Sequence, residues 1–231
     1  MRKLAIAMAL ASTTIAGAAV ARDKAWYIGV EGGAMIVEDM NYKLRGTNTT
    51  ALRTDSVTGF DVDGIIGYDF GMFRLEAEVG YKRSEVDKIR VGVPFGATPV
   101  GSYDATVAGR TSALSFMING LLDFGQDDGI SGYVGGGVGV ARIKAMNYNV
   151  FPRTIMEDSD TGFAYQAIAG VRFPVTTNVD LGLKYRFFNA EGVNVTARNG
   201  VGLDSRYRSH SLLASVVYNF GEPAAPPPPS R

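Results

Sequence analysis

Between Phe73 and Arg83 the chain reads FRLEAEVGYKR, and its side chains alternate in character. Phe73, Leu75, Ala77, Val79 and Tyr81 form one set; Arg74, Glu76, Glu78, Gly80 and Lys82 form the other. Successive side chains of an extended strand point to opposite faces, so this segment presents one apolar and one charged face. Wound into a helix, the same residues would scatter both sets around the axis. The 29 glycines in 231 residues also disfavour helix interiors. The expected class is all-β.

The same period recurs along the chain. Trp26, Ile28, Val30, Ala34 and Ile36 share a parity, with Tyr27 and Glu31 on the other. Phe60, Val62, Ile66, Tyr68 and Phe70 enclose Asp61 and Asp63. Leu114 to Phe124, Phe163 to Phe173, Val179 to Phe187 and Leu212 to Phe220 repeat the pattern, while the glycine-rich run Tyr133–Ile143 leaves its parity open. That makes eight strands. Short connections fall near Phe70–Met72, Gly125–Ile130 and Pro174–Asn178. Long ones span Glu38–Val57, Ser84–Gly109, Lys144–Thr161 and Asn189–Tyr207. Short turns at one end and long loops at the other predict an eight-stranded antiparallel up-and-down transmembrane β-barrel.

Alternation alone does not say which face meets water. A soluble carrier barrel would turn its apolar face inward; a membrane barrel does the reverse, because lipid cannot solvate charge. Aromatics favour the membrane. Tyr68, Phe70 and Phe73 flank one short turn, Phe124 and Tyr133 the second, and Phe173 opens the third; Trp26, Tyr218 and Phe220 mark the barrel's ends. Such residues form a girdle at a membrane interface. The strands also have the roughly 9–11 residues that a tilted crossing requires.

The charged face then lies inside, where eight strands leave room only for side chains. Lone charges there would cost several kcal/mol each, so they must pair. The expectation is a plugged lumen with Glu31, Glu76 and Glu78 against Lys184 and Arg186, and with Arg74, Lys82 and Arg172 around them.

The two ends read differently. Residues 1–21 carry Arg2 and Lys3, an apolar run and the small-residue site Ala19-Val20-Ala21, the pattern of a cleaved secretory signal. Residues 22–221 form the barrel. Residues 222–231, EPAAPPPPSR, cannot join a sheet and read as an extended linker or tail. The absence of cysteine excludes disulfides and thiolate metal sites. Balanced charge, 23 basic against 23 acidic residues with no basic stripe, gives no reason to expect nucleic acid.

NGLLDFG (119–125), YVGGGVGVA (133–141), AIAGVRFPVTTNVDLGLKYRFF (167–188) and the closing YNF before a proline-rich spacer resemble the small eight-stranded outer-membrane barrels, in particular the N-terminal barrel of OmpA-type proteins. The resemblance covers Ala25 to Arg231. It implies a structural barrel in a Gram-negative outer membrane, with the N-terminus and the tail in the periplasm. The implied partners are outer-membrane lipid, lipopolysaccharide and the barrel assembly machinery. In OmpA-type proteins the spacer leads to a peptidoglycan-binding domain; this sequence stops at Arg231, so that tether is expected to be missing from this chain. A small porin-like channel for water or ions and a soluble periplasmic carrier are the alternative readings.

No catalytic set, cofactor or metal site is expected. The lone histidine, His210, has Ser209 and Ser211 beside it, which a strand turns to the opposite face, and no nearby acid completes a triad. GGGVG (135–139) lacks the strand–turn–helix setting and lysine of a phosphate loop. Asp127-Asp128-Gly129 has too few oxygen ligands for a calcium loop and reads as a turn. The mixed charges of the long loops read as a solvated surface, whose arginines would suit lipopolysaccharide phosphates.

Overall fold

The computed structural model describes residues 24–94, 98–104, 109–125, 129–150 and 153–220. The expected signal, the proline-rich tail and Asp127-Asp128 lie outside them. The described residues form one antiparallel sheet of eleven strands and no helix. These are β1 (Trp26–Val37), β2 (Met40–Leu44), β3 (Thr50–Ser56), β4 (Gly59–Asp69), β5 (Phe73–Val91), β6 (Gly101–Asp104), β7 (Arg110–Phe124), β8 (Ser131–Val150), β9 (Arg153–Pro174), β10 (Val179–Thr196) and β11 (Gly202–Asn219).

Eight of them pair in a ring. β1 joins β4, β4 joins β5, β5 joins β7, and β7 to β11 follow in order, each paired with the next. The ring returns through β11 to β1, from Tyr27 opposite Asn219 to Val37 opposite Ser209. Full pairing leaves no edge in hydrocarbon, where an unpaired backbone group costs several kcal/mol. The first tight turn uses Gly71 at φ 106°, a conformation that L side chains rarely adopt.

The expected long loops are largely sheet. β2 and β3 form a hairpin that takes over from β1 and β4, bridging β11 to β5. β6 adds to the far end of β5. β8 runs to Val150 and β9 starts at Arg153 opposite it, while β10 and β11 stay paired to Thr196 and Gly202. The eight sequence strands are therefore right for the crossing and short for the molecule, which extends well past it.

Polarity inverts along this length. On β5, Phe73, Leu75, Val79 and Tyr81 are exposed, while Arg74, Glu76, Glu78 and Lys82 are buried. Beyond Tyr81 the outward residues become Arg83, Glu85, Asp87 and Arg90, and the inward ones Val86, Ile89 and Val91. The same change falls between Ile36 and Glu38, between Leu114 and Arg110, between Val140 and Arg142, and between Phe163 and Thr161. The outward apolar band is the hydrocarbon-facing part; the polar outside with an apolar inside is the part that meets water.

Candidate functional site

The lumen is stacked in three layers. At the short-turn end, Arg74 forms a bidentate pair with Asp123 at 2.7 and 2.8 Å. Arg172 reaches Asp69 at 3.3 Å and Asp123 at 3.7 Å. Asn219 donates to Asp180 at 2.9 Å. The Arg74 guanidinium lies over the Tyr133 ring at 4.8 Å and the Tyr27 ring at 5.8 Å. Each ring covers a glycine on the neighbouring strand: a Cβ on Gly67 would meet Tyr27 at 2.3 Å, and one on Gly170 would meet Tyr133 at 2.5 Å. Glycine is required where an aromatic lies this close to the backbone.

The middle layer holds the main charge network. Arg186 contacts Glu31 at 3.3 Å, Asp61 at 3.2 Å, Asp63 at 2.8 Å and Glu78 at 3.2 Å. Lys184 contacts Glu31 at 2.7 Å and Glu76 at 3.8 Å. Lys82 lies 3.2 Å from Asp61 and 3.6 Å from Asp63. Asn119 donates to both Glu76 and Glu78 at 3.0 Å, Gln166 to Glu78 at 3.2 Å, Tyr27 to Glu76 at 3.2 Å and Ser211 to Asp61 at 2.6 Å. Every charged member of this layer is at most 4 % exposed, so each depends on its partners rather than on water.

The third layer is mainly apolar, with Thr54, Ser84, Thr111 and Ser209 bringing buried hydroxyls into it. The Lys82 ammonium lies over the Phe188 ring at 4.7 Å, and from there the interior changes character. Met35, Met117, Phe188 and Tyr207 span the lumen, with Met40, Tyr42, Leu52, Ile89, Ile143, Tyr148, Val195 and Leu203 stacked beyond them, all buried. Tyr148 bonds Thr111 and Tyr42 through its hydroxyl, at 2.5 and 3.3 Å, so the ring brings no unmatched polar group into the stack. The β2–β3 hairpin supplies several of these side chains.

Of the residues expected in the network, Glu31, Glu76, Glu78, Lys184, Arg186 and Lys82 meet in the middle layer. Arg74 and Arg172 do not; they pair in the layer below. Tyr133 corrects the expected girdle. It is buried inside against Arg74 rather than at the membrane surface, because its strand register sets it opposite Gly170 on the inward face. Trp26, Phe70, Phe73, Phe124, Phe173, Tyr218 and Phe220 are exposed on the outer wall, and half-buried Tyr68 packs between Trp26 and Phe70.

Sequence reasoning missed Asp61 and Asp63, Asn119, Gln166 and Ser211. The signal was present for the two aspartates: their parity is that of the charged face, and the tight turn after Phe70 sets Asp61 opposite Lys82. His210 also differs from expectation. An acid does reach it: Glu38 lies 3.1 Å from Nε2, and the Tyr185 hydroxyl 2.9 Å from Nδ1. Ser209 and Ser211 are buried on the other face, so no serine completes a nucleophile–base pair.

Residues 5–220 match the outer membrane protein beta-barrel domain. The chain belongs to that family. It is 26 % identical over 194 residues to outer membrane protein PagN of Salmonella typhimurium, covering 77 % of this chain and 79 % of the relative. It is 26 % identical over 226 residues to outer membrane protein A of Shigella flexneri, covering 97 % of this chain but 57 % of the relative, so it spans little more than half of that protein. The putative adhesin RP828 of Rickettsia prowazekii is 24 % identical, over 95 % of this chain and all of that one. Neisserial surface protein A shares the fold at TM-score 0.50 and 19 % identity, over 84 % of this chain and 97 % of that one. OprG of Pseudomonas aeruginosa does so at TM-score 0.50 and 12 % identity, over 87 % and 98 %. The family member is thus an OmpA-like outer-membrane β-barrel.

Proposed function

We propose that this barrel is a non-conducting, non-enzymatic structural protein that carries a rigid, sheet-built platform to the cell surface. The observation that carries this reading is the apolar third layer. An ion meeting Phe188, Tyr207 and the side chains beyond them would exchange its full hydration for a few scattered hydroxyls. A porin-like pathway is less well supported, because the polar middle layer leads only to this stack.

Orientation follows from general barrel architecture. Short turns face the periplasm and long extensions the exterior, and the first and last strands begin and end at the short-turn side. The N-terminus and the proline-rich tail then belong in the periplasm. Insertion by the barrel assembly machinery and contact with lipopolysaccharide go with that placement. A role in attachment is a second reading, favoured by the adhesin name of the Rickettsia relative.

Planar-bilayer recording on the purified protein tests the main reading; the expected trace is silent, and regular opening steps would overturn it. The chain has no cysteine, which makes labelling clean. Asn199→Cys should react with an impermeant maleimide on intact cells and Thr177→Cys should not. The reverse pattern would invert the orientation.

A further inference from the structure

Just beyond the outward apolar band, one side of the barrel is crowded with cations. Arg83 on β5 is in register with Ser112 on β7, and Ser112 with Lys144 on β8. Arg142 is opposite the lipid-facing Leu114, and Arg110 opposite Glu85. Antiparallel partners share a face, so all four cations point outward across three adjacent strands, roughly 10 Å from first to last. Glu85 is the one acid among them, and it makes no ion pair among the described residues. Arg142 donates to the Ser159 hydroxyl at 3.0 Å, while Arg110 Nε is buried without a hydrogen-bond partner.

Most of the other outward arginines are neutralised, with Arg206 exposed and outside any ion pair among the described residues. Arg45 reaches Asp204, Arg53 reaches Asp39, Arg90 reaches Asp55, Arg198 reaches Glu157 and Arg208 reaches Glu38. The β5–β7–β8 patch therefore keeps a net positive charge, spread over three successive outward rungs of the ladder, with Glu85 and, one rung beyond, Asp87 its acids on β5. Tyr81 is the next outward residue below Arg83 on β5, and Phe60 stands in register beside Arg83 on β4, its ring 6.2 Å from that of Tyr81. Acyl chains packed there would bring their headgroup level with the arginines. The guanidinium fork suits phosphate oxygens.

We propose that Arg83, Arg110, Arg142 and Lys144 form a binding site for the phosphorylated headgroup of an outer-leaflet glycolipid. This rests on the reading that the capped end of the barrel faces outward, which the labelling experiment tests separately. The binding test needs no orientation. Wild type and the R83Q/R110Q/R142Q/K144Q variant are folded into phosphatidylcholine nanodiscs doped with bisphosphorylated lipid A or its dephosphorylated form, and retained glycolipid is counted by native mass spectrometry.

Wild type should retain the phosphorylated form, and the variant should hold about tenfold less. The R45Q/R198Q control, which removes paired arginines, should bind like wild type. Equal retention by the quadruple variant, or equal retention of dephosphorylated lipid by wild type, overturns the proposal. So does complete displacement by millimolar inorganic phosphate, which would mark a small-anion site instead. A heat-modifiable band in phosphatidylcholine alone confirms that the variant is folded. If it is not, R142Q/K144Q carries the same comparison.

Discussion

Arg186 contacts four carboxylates, and the residue-scale energetics of the lumen turn on that asymmetry. The middle layer sets five acids (Glu31, Asp61, Asp63, Glu76, Glu78) against three cations (Lys82, Lys184, Arg186). Removing a cation leaves buried charge uncompensated, whereas neutralising an acid relieves the excess. Arg186→Met is therefore expected to destabilise by about 3–5 kcal/mol. Glu78→Gln should cost only about 1 kcal/mol, its amide still able to bond Asn119 or Gln166. Urea unfolding in liposomes compares the two, and an equal loss would refute the charge-balance account. Gly170→Ala is expected to cost about 1–3 kcal/mol by displacing the Tyr133 ring, with the same measurement as readout. Much of this site was legible. Glu31, Glu76, Glu78, Lys184 and Arg186 share the charged parity of three strands, and closure forces them together. Tyr133 was not legible, since a strand of glycines carries no side-chain pattern from which to read its face.

At the scale of elements, the crossing strands could be read from their alternation and the extensions could not. β5 shows the physical reason. Its inward residues are charged as far as Lys82 and apolar at Val86, Ile89 and Val91, with a bulge between Val86 and Lys88. The apolar parity thus switches at the membrane boundary and switches back at the bulge, so a single strand looks like a strand followed by a polar loop. A different device operates where β9 and β10 stop pairing above Ala164 and Ala190. On the water-exposed side of that point, Asp160 accepts from the Asn194 backbone N–H at 2.7 Å and Asp158 from that of Thr196 at 2.7 Å. The side chains replace the missing ladder. The Asn194 bond, with that from Thr161, holds the Asp160 carboxyl below its ordinary range. A lowered folded value means a contribution that is complete above the unfolded value and lost as pH falls through the folded one. Amide exchange at Asn194 is therefore expected to be flat near neutrality and to lose protection in acid beyond the intrinsic trend. In Asp160→Ala at neutral pH, protection should fall about fivefold, the worth of one hydrogen bond. Unchanged protection would show that the splayed strands are held by something else.

Over the whole molecule, the ring of strands encloses two interiors of opposite chemistry, and each is a candidate for closing the lumen. They differ in how they respond to substitution. The charged layer is polar throughout, so an ion entering it meets groups that can exchange partners. The stack is mainly hydrocarbon with only a few buried hydroxyls, such as Thr111, Tyr42 and Tyr148, already bonded to one another, and a narrow, largely apolar passage excludes ions by excluding water. Neutralising the network with Glu78→Gln and Arg186→Gln should then loosen the barrel without opening it. Truncating Met117, Phe188 and Tyr207 to alanine should open it, because these side chains lie where the charged layer ends and the stack begins. Planar-bilayer recordings on the two variants decide between them. Steps in the apolar variant alone place the barrier in the stack; steps in the charge-neutralised variant alone would make the ion pairs the gate and the stack mere packing. The outcome also bears on the extension itself. If the stack is the barrier, the β2–β3 hairpin, which contributes Met40, Tyr42 and Leu52 to it, is part of what keeps the membrane tight, as well as part of the surface it displays.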